Sequence, residues 1–482
     1  MSPLYTPGKV KLKRTLGDSL KITRTPIYPE YTFTINTQIP TAGNTAFTLP
    51  STGVSLYDVD WGDGIIQTNQ TSNSLLHTYA SPGIYTIKVS TRAFKVYRPF
   101  FNNTGSYRQV TSVLAGTSPE FNFGTNLQAA WGGCQGINSF GIINTLTVTN
   151  FDGTWQGCTN ITSFPLLDTS SGKNFTNTWN GCTGLTSFPL LDVSSGTNFF
   201  QTWRNCTGLT SFPALDFSST LILDSTWRGC NFTSFGLINI SGVQAFDNTW
   251  GGCDNLTSFP LIDTSSGTNF NSAWSNCSGL TSFPAITVAG SCRTTWGGCS
   301  GLTSFPLINS AGVTDLFFAW SGCTGLTSFP LIDTSNVLLA QSAWQGCTGL
   351  TSFPLLNMSS ATNVASAWNT CSGLTSFPSI TFPVTSNFTN AWANCTNLAT
   401  FPANAFDTSP LGTPGMSGAF QNCALTALSI ENILASLVTN GRTGRTINLD
   451  GGTNAGAATW TATANADYAT LITRGWTIIR NP

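Results

Sequence analysis

One word dominates this 482-residue chain: Trp-x-x-Cys, repeated at a nearly constant interval. It occurs at Trp131/Cys134, Trp155/Cys158, Trp179/Cys182, Trp203/Cys206, Trp227/Cys230 and Trp250/Cys253. It continues at Trp274/Cys277, Trp296/Cys299, Trp320/Cys323, Trp344/Cys347, Trp368/Cys371 and Trp392/Cys395. Phe420 replaces Trp in a last copy beside Cys423. Most steps are 24 residues, with single steps of 23, 22 and 28. A unit this short cannot bury its own apolar face, so copies must stack as a solenoid.

One unit, NFTNTWNGCTGLTSFPLLD over 174–192, shows what each turn contains. Phe175 and Trp179 stand four apart, which predicts one helical turn with both on one face. The Asn-Gly after Trp179 is expected to end it, because Gly tolerates positive φ. Cys182, Leu185, Phe188 and Leu191 then recur every third residue. Leu-Thr-Ser-Phe is the best strand candidate, and Pro189, which lacks an N–H, should end it. Asp192 with the Ser/Thr after it predicts a turn. Parallel strands about 4.8 Å apart would make roughly thirteen turns span about 60 Å.

The cysteines follow from this stacking. Thirteen of fourteen are in register, and only Cys292 is not. Equivalent Cβ atoms in adjacent turns are expected about 4.8 Å apart with parallel vectors, whereas a disulfide needs about 3.5–4.5 Å and converging vectors. Reduced thiols acting as small core hydrophobes are therefore expected.

Charged residues make up only 8% of the chain, net −1, so solubility must rest on Ser, Thr and Asn. With one histidine, His77, no Ser/His/Asp or Cys/His relay can be built, and a structural hydrogen bond is expected there. Only Glu30, Glu120 and Glu431 are glutamates, which disfavours a two-carboxylate glycosidase. The column Asp168, Asp192, Asp216, Asp263 and Asp333 gives way to Asn239, Asn309, Asn357, Thr287 and Thr381 elsewhere, as turn capping would allow. No catalytic residue, cofactor or metal is expected. Asp58, Asp60 and Asp63 in DVDWGDG are the weak calcium candidates, with a structural turn as the favoured reading. Phe200, Phe217 and Phe317 lie outside the core register and mark either a contact patch or packing variants.

The flanks differ. Residues 57–90 alternate apolar and polar residues between WGDG and SPG, as in a β-sandwich. Near the C-terminus, Ile430, Ile433, Leu434 and Leu437 have helical spacing, with Ser429 as cap and Gly441 as stop. TINLDGG, DYATLITRG and WTIIR then predict strand, helix and strand, together a cap over the last turn. Residues 1–108 carry eleven Lys/Arg against five Asp/Glu, while 131–423 carry four against eleven. The basic arm Lys9, Lys11, Lys13, Arg14, Lys21 and Arg24 is either a solvated tail or an anchor onto a partner subunit. Nucleic-acid binding is not expected, since the chain as a whole is not basic. No run is long and apolar enough to predict a membrane span, and the first residues lack the pattern of a Sec-type signal.

CTGLTSFPLLD and CTGLTSFPLID resemble the BspA-like leucine-rich repeat family over about residues 109–430, with Trp where Met-Phe or Ala-Phe is more usual. WGDG and HTYASPGIYTI resemble a PKD-like, immunoglobulin-type domain. The combination looks like proteins encoded by phages of aquatic bacteria and by some bacteria, and NILASL…INLDGGTNA…ITRGWTI resembles the terminal segment of such proteins. The expected architecture is mainly β: a basic arm over 1–29, a PKD-like β-sandwich over 30–108, a leucine-rich-repeat-like solenoid of about 13 turns over 109–428 and an α/β cap over 429–482. The resemblance implies a non-enzymatic virion fibre, spike or decoration protein. Its implied partners are other virion proteins at the N-terminal region, a host-surface glycan or protein, and further copies of itself. The alternative is a bacterial cell-surface adhesin or extracellular filament subunit.

Overall fold

The computed structural model describes residues 28–38, 45–52, 56–91, 96–101, 107–114, 121, 123–413 and 415–482. The basic arm, Lys9 to Arg24, lies outside them. The described part is mainly β and turn, with two α-helices near the C-terminus.

Two sheets open the chain. Strands β1 (Glu30–Asn36), β3 (Tyr57–Asp60), β4 (Ile66–Gln70), β6 (Ile84–Thr91), β8 (Val110–Val113) and β9 (Ser139–Phe140) form one, in the order β4-β3-β6-β1-β8-β9. Strands β2 (Ala46–Thr52), β5 (Ser74–Thr78) and β7 (Arg98–Pro99) form the other, in the order β5-β2-β7. Alternation puts Tyr31, Phe33 and Ile35 of β1 inside, with Phe33 opposite Ile87 and Tyr31 opposite Val89 on β6. Such period-2 burial is what an antiparallel sheet with one covered face requires. β9 belongs to the first repeat, and it pairs in parallel with β8. The first sheet thus runs directly into the solenoid. Tyr31 Oη accepts a 2.8 Å hydrogen bond from Trp131 Nε1 across the same junction.

Inside the array the core is built of columns. Each indole from Trp131 to Trp392 stacks on the next with centroids 5.2–5.9 Å apart, and Phe420 closes the column on Trp392 at 5.0 Å. A second column of Phe140, Phe164, Phe188, Phe212 and their successors meets the indoles edge-on, as at Phe164–Trp155, 4.7 Å and 74°. Offset-stacked and perpendicular pairs are the two arrangements that ring quadrupoles favour.

The predicted helical turn around Trp179 is not α-helical. Asn177 and Gly181 have φ of 52° and 76°, and a left-handed residue every fourth position breaks the i→i−4 ladder. Alternate amides go to different partners instead. Thr178, Asn180 and Cys182 donate to Phe175, Asn177 and Trp179 carbonyls within the turn. Phe175, Asn177, Trp179 and Gly181 donate to Asn198, Phe200, Thr202 and Arg204 in the next turn. Each turn is therefore a run of tight turns that zips in parallel onto its neighbour. The expected Leu-Thr-Ser-Phe strand shrinks to single bridges such as Ser163–Ser187. Pro189 has no N–H to offer, and Leu191 N closes back on Pro189 O at 3.0 Å. The longest strand pairing in the array among the described residues joins β10 (Thr287–Ser291) to β11 (Asn309–Asp315), with two register shifts along it, where the 22-residue step falls.

Helix α1 (Ala427–Asn440) starts at Thr426, whose side chain accepts from Ser429 N, and ends at Gly441 with φ 75°. The cap residue is thus Thr426, three before the predicted Ser429. Ser429 is buried, and its hydroxyl donates to Ala399 O and accepts from Phe401 N. α2 (Ala462–Thr473) starts five residues before the predicted DYATLITRG, capped by Thr461. Strand β12 (Gly415–Met416), in the last Cys turn, pairs in parallel with β13 (Thr446–Leu449), and β13 with β14 (Thr477–Arg480), so the parallel ladder continues beyond that turn.

Candidate functional site

The cysteine column is a hydrogen-bonded ladder as well as a packed one. All fourteen thiols are free and buried. From Cys158 onward, each column thiol donates to the carbonyl of the Trp in the preceding turn at 3.0–3.4 Å, as Cys158 Sγ to Trp131 O and Cys423 Sγ to Trp392 O. Burial pushes these thiols far from ionisation, to about 12 at Cys182 and Cys230. A thiol held neutral in this way is a poor nucleophile. Cys292 takes the place that Phe270 holds one turn earlier, four residues before the Trp. Eleven indole N–H groups, Trp155 to Trp392, have no hydrogen-bond partner among the described residues.

The acidic candidates are occupied one by one. Asp58 Oδ1 accepts from Asn69 N, Asp60 Oδ1 from Gly62 N, and Asp63 Oδ1 from Ile65 N. The structure does not gather the three into a metal cage. No group of three or more His, Cys, Asp or Glu side chains is placed to hold a metal among the described residues. His77 Nε2 lies 2.8 Å from Asp63 Oδ2, and its ring stacks on Trp61 at 4.6 Å. Burial alone would raise the Asp63 carboxyl, but the bonds from His77 and Ile65 N outweigh it and hold the group below its ordinary value. Along the repeats, Asp168, Asp192, Asp216, Asp263 and Asp333 each accept from the amide two residues on, and Asn239 and Asn357 do the same. Phe217 is fully buried against Trp203 and Trp227. Phe317 lies beside Phe318 under the Arg293 guanidinium, and Phe200 is exposed. The three do not form one patch.

The surface carries a pattern that the sequence reading did not single out. Two residues after each column Phe stands an apolar side chain: Ile142, Leu166, Leu190, Leu237, Leu261, Leu307, Leu331 and Leu355, each 59–65% exposed. Ala214, Ala285, Ser379 and Ala403 fill the remaining places of this row. Between the buried apolar residue three after each Cys (Phe232, two after Cys230, in that one turn) and this row, no charged residue occurs in any turn from 137 to 379. Threonine hydroxyls on this face already donate to the preceding turn, as Thr186 to Thr162 O and Thr257 to Thr233 O. The signal was in the letters, as Phe-Pro-Leu-Leu and Phe-Pro-Leu-Ile. The period-three run marks Leu191 as the inward one of the pair, and the outward Leu190 falls outside that register.

No protein-family model matches the chain, and no curated protein does. Among solved structures, a leucine rich cell surface protein from Faecalibacterium prausnitzii A2-165 is 14% identical, with 61% of this chain and 83% of that one covered and a TM-score of 0.26. A leucine-rich repeat protein from Eubacterium ventriosum ATCC 27560 is 13% identical, with 65% and 89% covered and a TM-score of 0.31. TLR13, in a complex with ssRNA13, is 15% identical, with 73% and 48% covered and a TM-score of 0.21. The description of the turns therefore rests on this chain's own ladders.

Proposed function

We propose that the chain is a non-catalytic rod of a surface assembly, in which copies pack side by side through the leucine row and the other faces serve adhesion. The row carries the reading. Single exposed leucines are ordinary, but a contiguous apolar row is the mark of an interaction surface. A second copy fits it best, because it offers the same side chains at the same spacing and brings no charge to a charge-free face. Burying what remains exposed of seven leucines contributes about 1–2 kcal/mol each. That amounts to roughly 7–14 kcal/mol per copy, against an association cost of about 4–15 kcal/mol.

The finer reading is a phage fibre, spike or decoration protein. Its N-terminal region, read as a basic arm and a PKD-like module, would be the anchor, and the solenoid would project toward the host. A bacterial surface adhesin or filament subunit is the alternative. Peptide mass mapping of purified particles and of cell-surface fractions separates the two.

Sedimentation velocity tests the pairing. The wild type should sediment as a dimer or larger species that strengthens with salt, since salt screens the flanking acidic column. L190D/L261D/L331D should sediment as a folded monomer. A wild type that stays monomeric at high concentration would refute the proposal.

A further inference from the structure

A cavity of about 180 Å³ lies along four successive turns, those carrying Arg204, Arg228, Gly251 and Ser275. Its origin is a gap in two columns. The two residues after Trp250 are Gly251 and Gly252, and Gly229 precedes them one turn back. Three absent side chains leave a notch walled by Arg204, Asn205, Arg228, Asn248, Ser275 and Asn276.

The charges there are unusual for this chain. Only Lys173, Arg204, Arg228 and Arg293 are basic between 131 and 423. Lys173 donates to Ser195 O, and Arg293 pairs with Asp315. Arg204 and Arg228 follow adjacent stacked tryptophans, whose rings are 5.9 Å apart, so the fold places like charges on neighbouring turns. The ion pairs among the described residues are His77–Asp63 and Arg293–Asp315; neither Asp224 nor Asp247 pairs with the two arginines. Arg204 Nε is shut off from solvent with no hydrogen-bond partner. Two arginine side chains that line one notch on neighbouring turns, neither with an acidic partner, are the arrangement that an incoming oxyanion completes.

We propose that this notch binds the carboxylate or sulfate of an acidic sugar residue. Paired guanidinium groups suit a planar carboxylate or a sulfate. The amides of Asn205, Asn248 and Asn276 and the Ser275 hydroxyl are donors and acceptors of the kind that sugar hydroxyls need. A peptide or lipid ligand would ask for apolar lining, and the walls offer only Arg, Asn, Ser and Gly. The notch is separate from the leucine row and does not depend on it.

The test is isothermal titration calorimetry of the full chain with trigalacturonate, with neutral maltotriose and with inorganic sulfate, at low salt. Trigalacturonate should bind and maltotriose should not. R204Q/R228Q should lose about tenfold or more in affinity while keeping the wild-type melting temperature. K173Q, which removes a charge elsewhere on the solenoid, should bind as the wild type does. All variants keep the basic N-terminal arm, so general polyanion attraction cancels in the comparison. Undiminished trigalacturonate binding by R204Q/R228Q, or none by the wild type, would overturn the assignment. Sulfate binding as tight as trigalacturonate would overturn the saccharide part and leave a simple anion site.

Discussion

Raising the pH should unfold this protein abruptly, and the buried thiols set where. An unfolded cysteine ionises near about 8.5, whereas the column thiols are held neutral to about 12 at Cys182, Cys230, Cys277 and Cys323. The folded state thus binds more protons than the unfolded state above about 8.5. Each thiol's contribution is full below that pH and is lost as pH rises toward the folded value, at about 1.4 kcal/mol per unit. For fourteen thiols, the loss is about 12 kcal/mol at pH 9, about 20 at pH 9.5 and about 29 at pH 10. At about 0.05–0.15 kcal/mol per residue, the array between Trp131 and Cys423 has roughly 15–45 kcal/mol to lose. The midpoint should therefore fall between about pH 9 and 11. Sectional unfolding leaves the conclusion unchanged, because every section carries its own thiols. Tryptophan fluorescence and thiolate absorbance, followed together from pH 7 to 11, should change in one step. Replacing Cys206, Cys230, Cys253 and Cys277 by Ala should reduce the steepness by four parts in fourteen. Thiolates that appear near pH 8.5 with native fluorescence intact, or a fold that survives pH 11, would refute the reasoning.

Other perturbations follow from the columns. Trp274→Ala should cost about 3–5 kcal/mol in chemical denaturation. Trp274→Phe should cost well under half of that, since Phe420 already stacks in this column and no unpartnered indole N–H remains. Tyr31→Phe removes the one hydrogen bond made by a column indole, at Trp131, and should cost about 1–2 kcal/mol. Hydrogen exchange should show that loss first in the turns nearest β9.

The repeat, its stacking and the free thiols were legible because in-register letters can only mean stacked turns. The conformation within a turn was less so. The four-residue spacing of Phe175 and Trp179 matches a helix, but it equally matches tight turns with a left-handed residue at Asn177 and again at Gly181. Cys182, Leu185, Phe188 and Leu191 recur with period three, which belongs neither to a β-strand nor to an α-helix, and the structure resolves it as single bridges with irregular backbone between them. The thiol-to-carbonyl bonds were hidden because composition shows cysteine as a small hydrophobe and says nothing of the carbonyl beneath it. Asp58, Asp60 and Asp63 read as a structural turn with a weaker calcium alternative, and three aspartates within six letters do not show which group each carboxylate faces. In three dimensions each accepts its own backbone amide. The Arg204–Arg228 notch was invisible because it depends on the absence of side chains at Gly229, Gly251 and Gly252.

The account holds that each 24-residue unit is one turn of a continuous in-register stack. Deleting Thr324–Cys347 removes one such unit and would bring Trp320 onto Trp368, whereas deleting Thr324–Ser335 removes half a unit and breaks every column at once. Thermal melting followed by near-ultraviolet circular dichroism compares the two directly. The full-unit deletion should keep the native spectrum and a cooperative melt close to that of the wild type, and the half-unit deletion should lose both. Equal loss in the two variants, or equal tolerance, would contradict the stack.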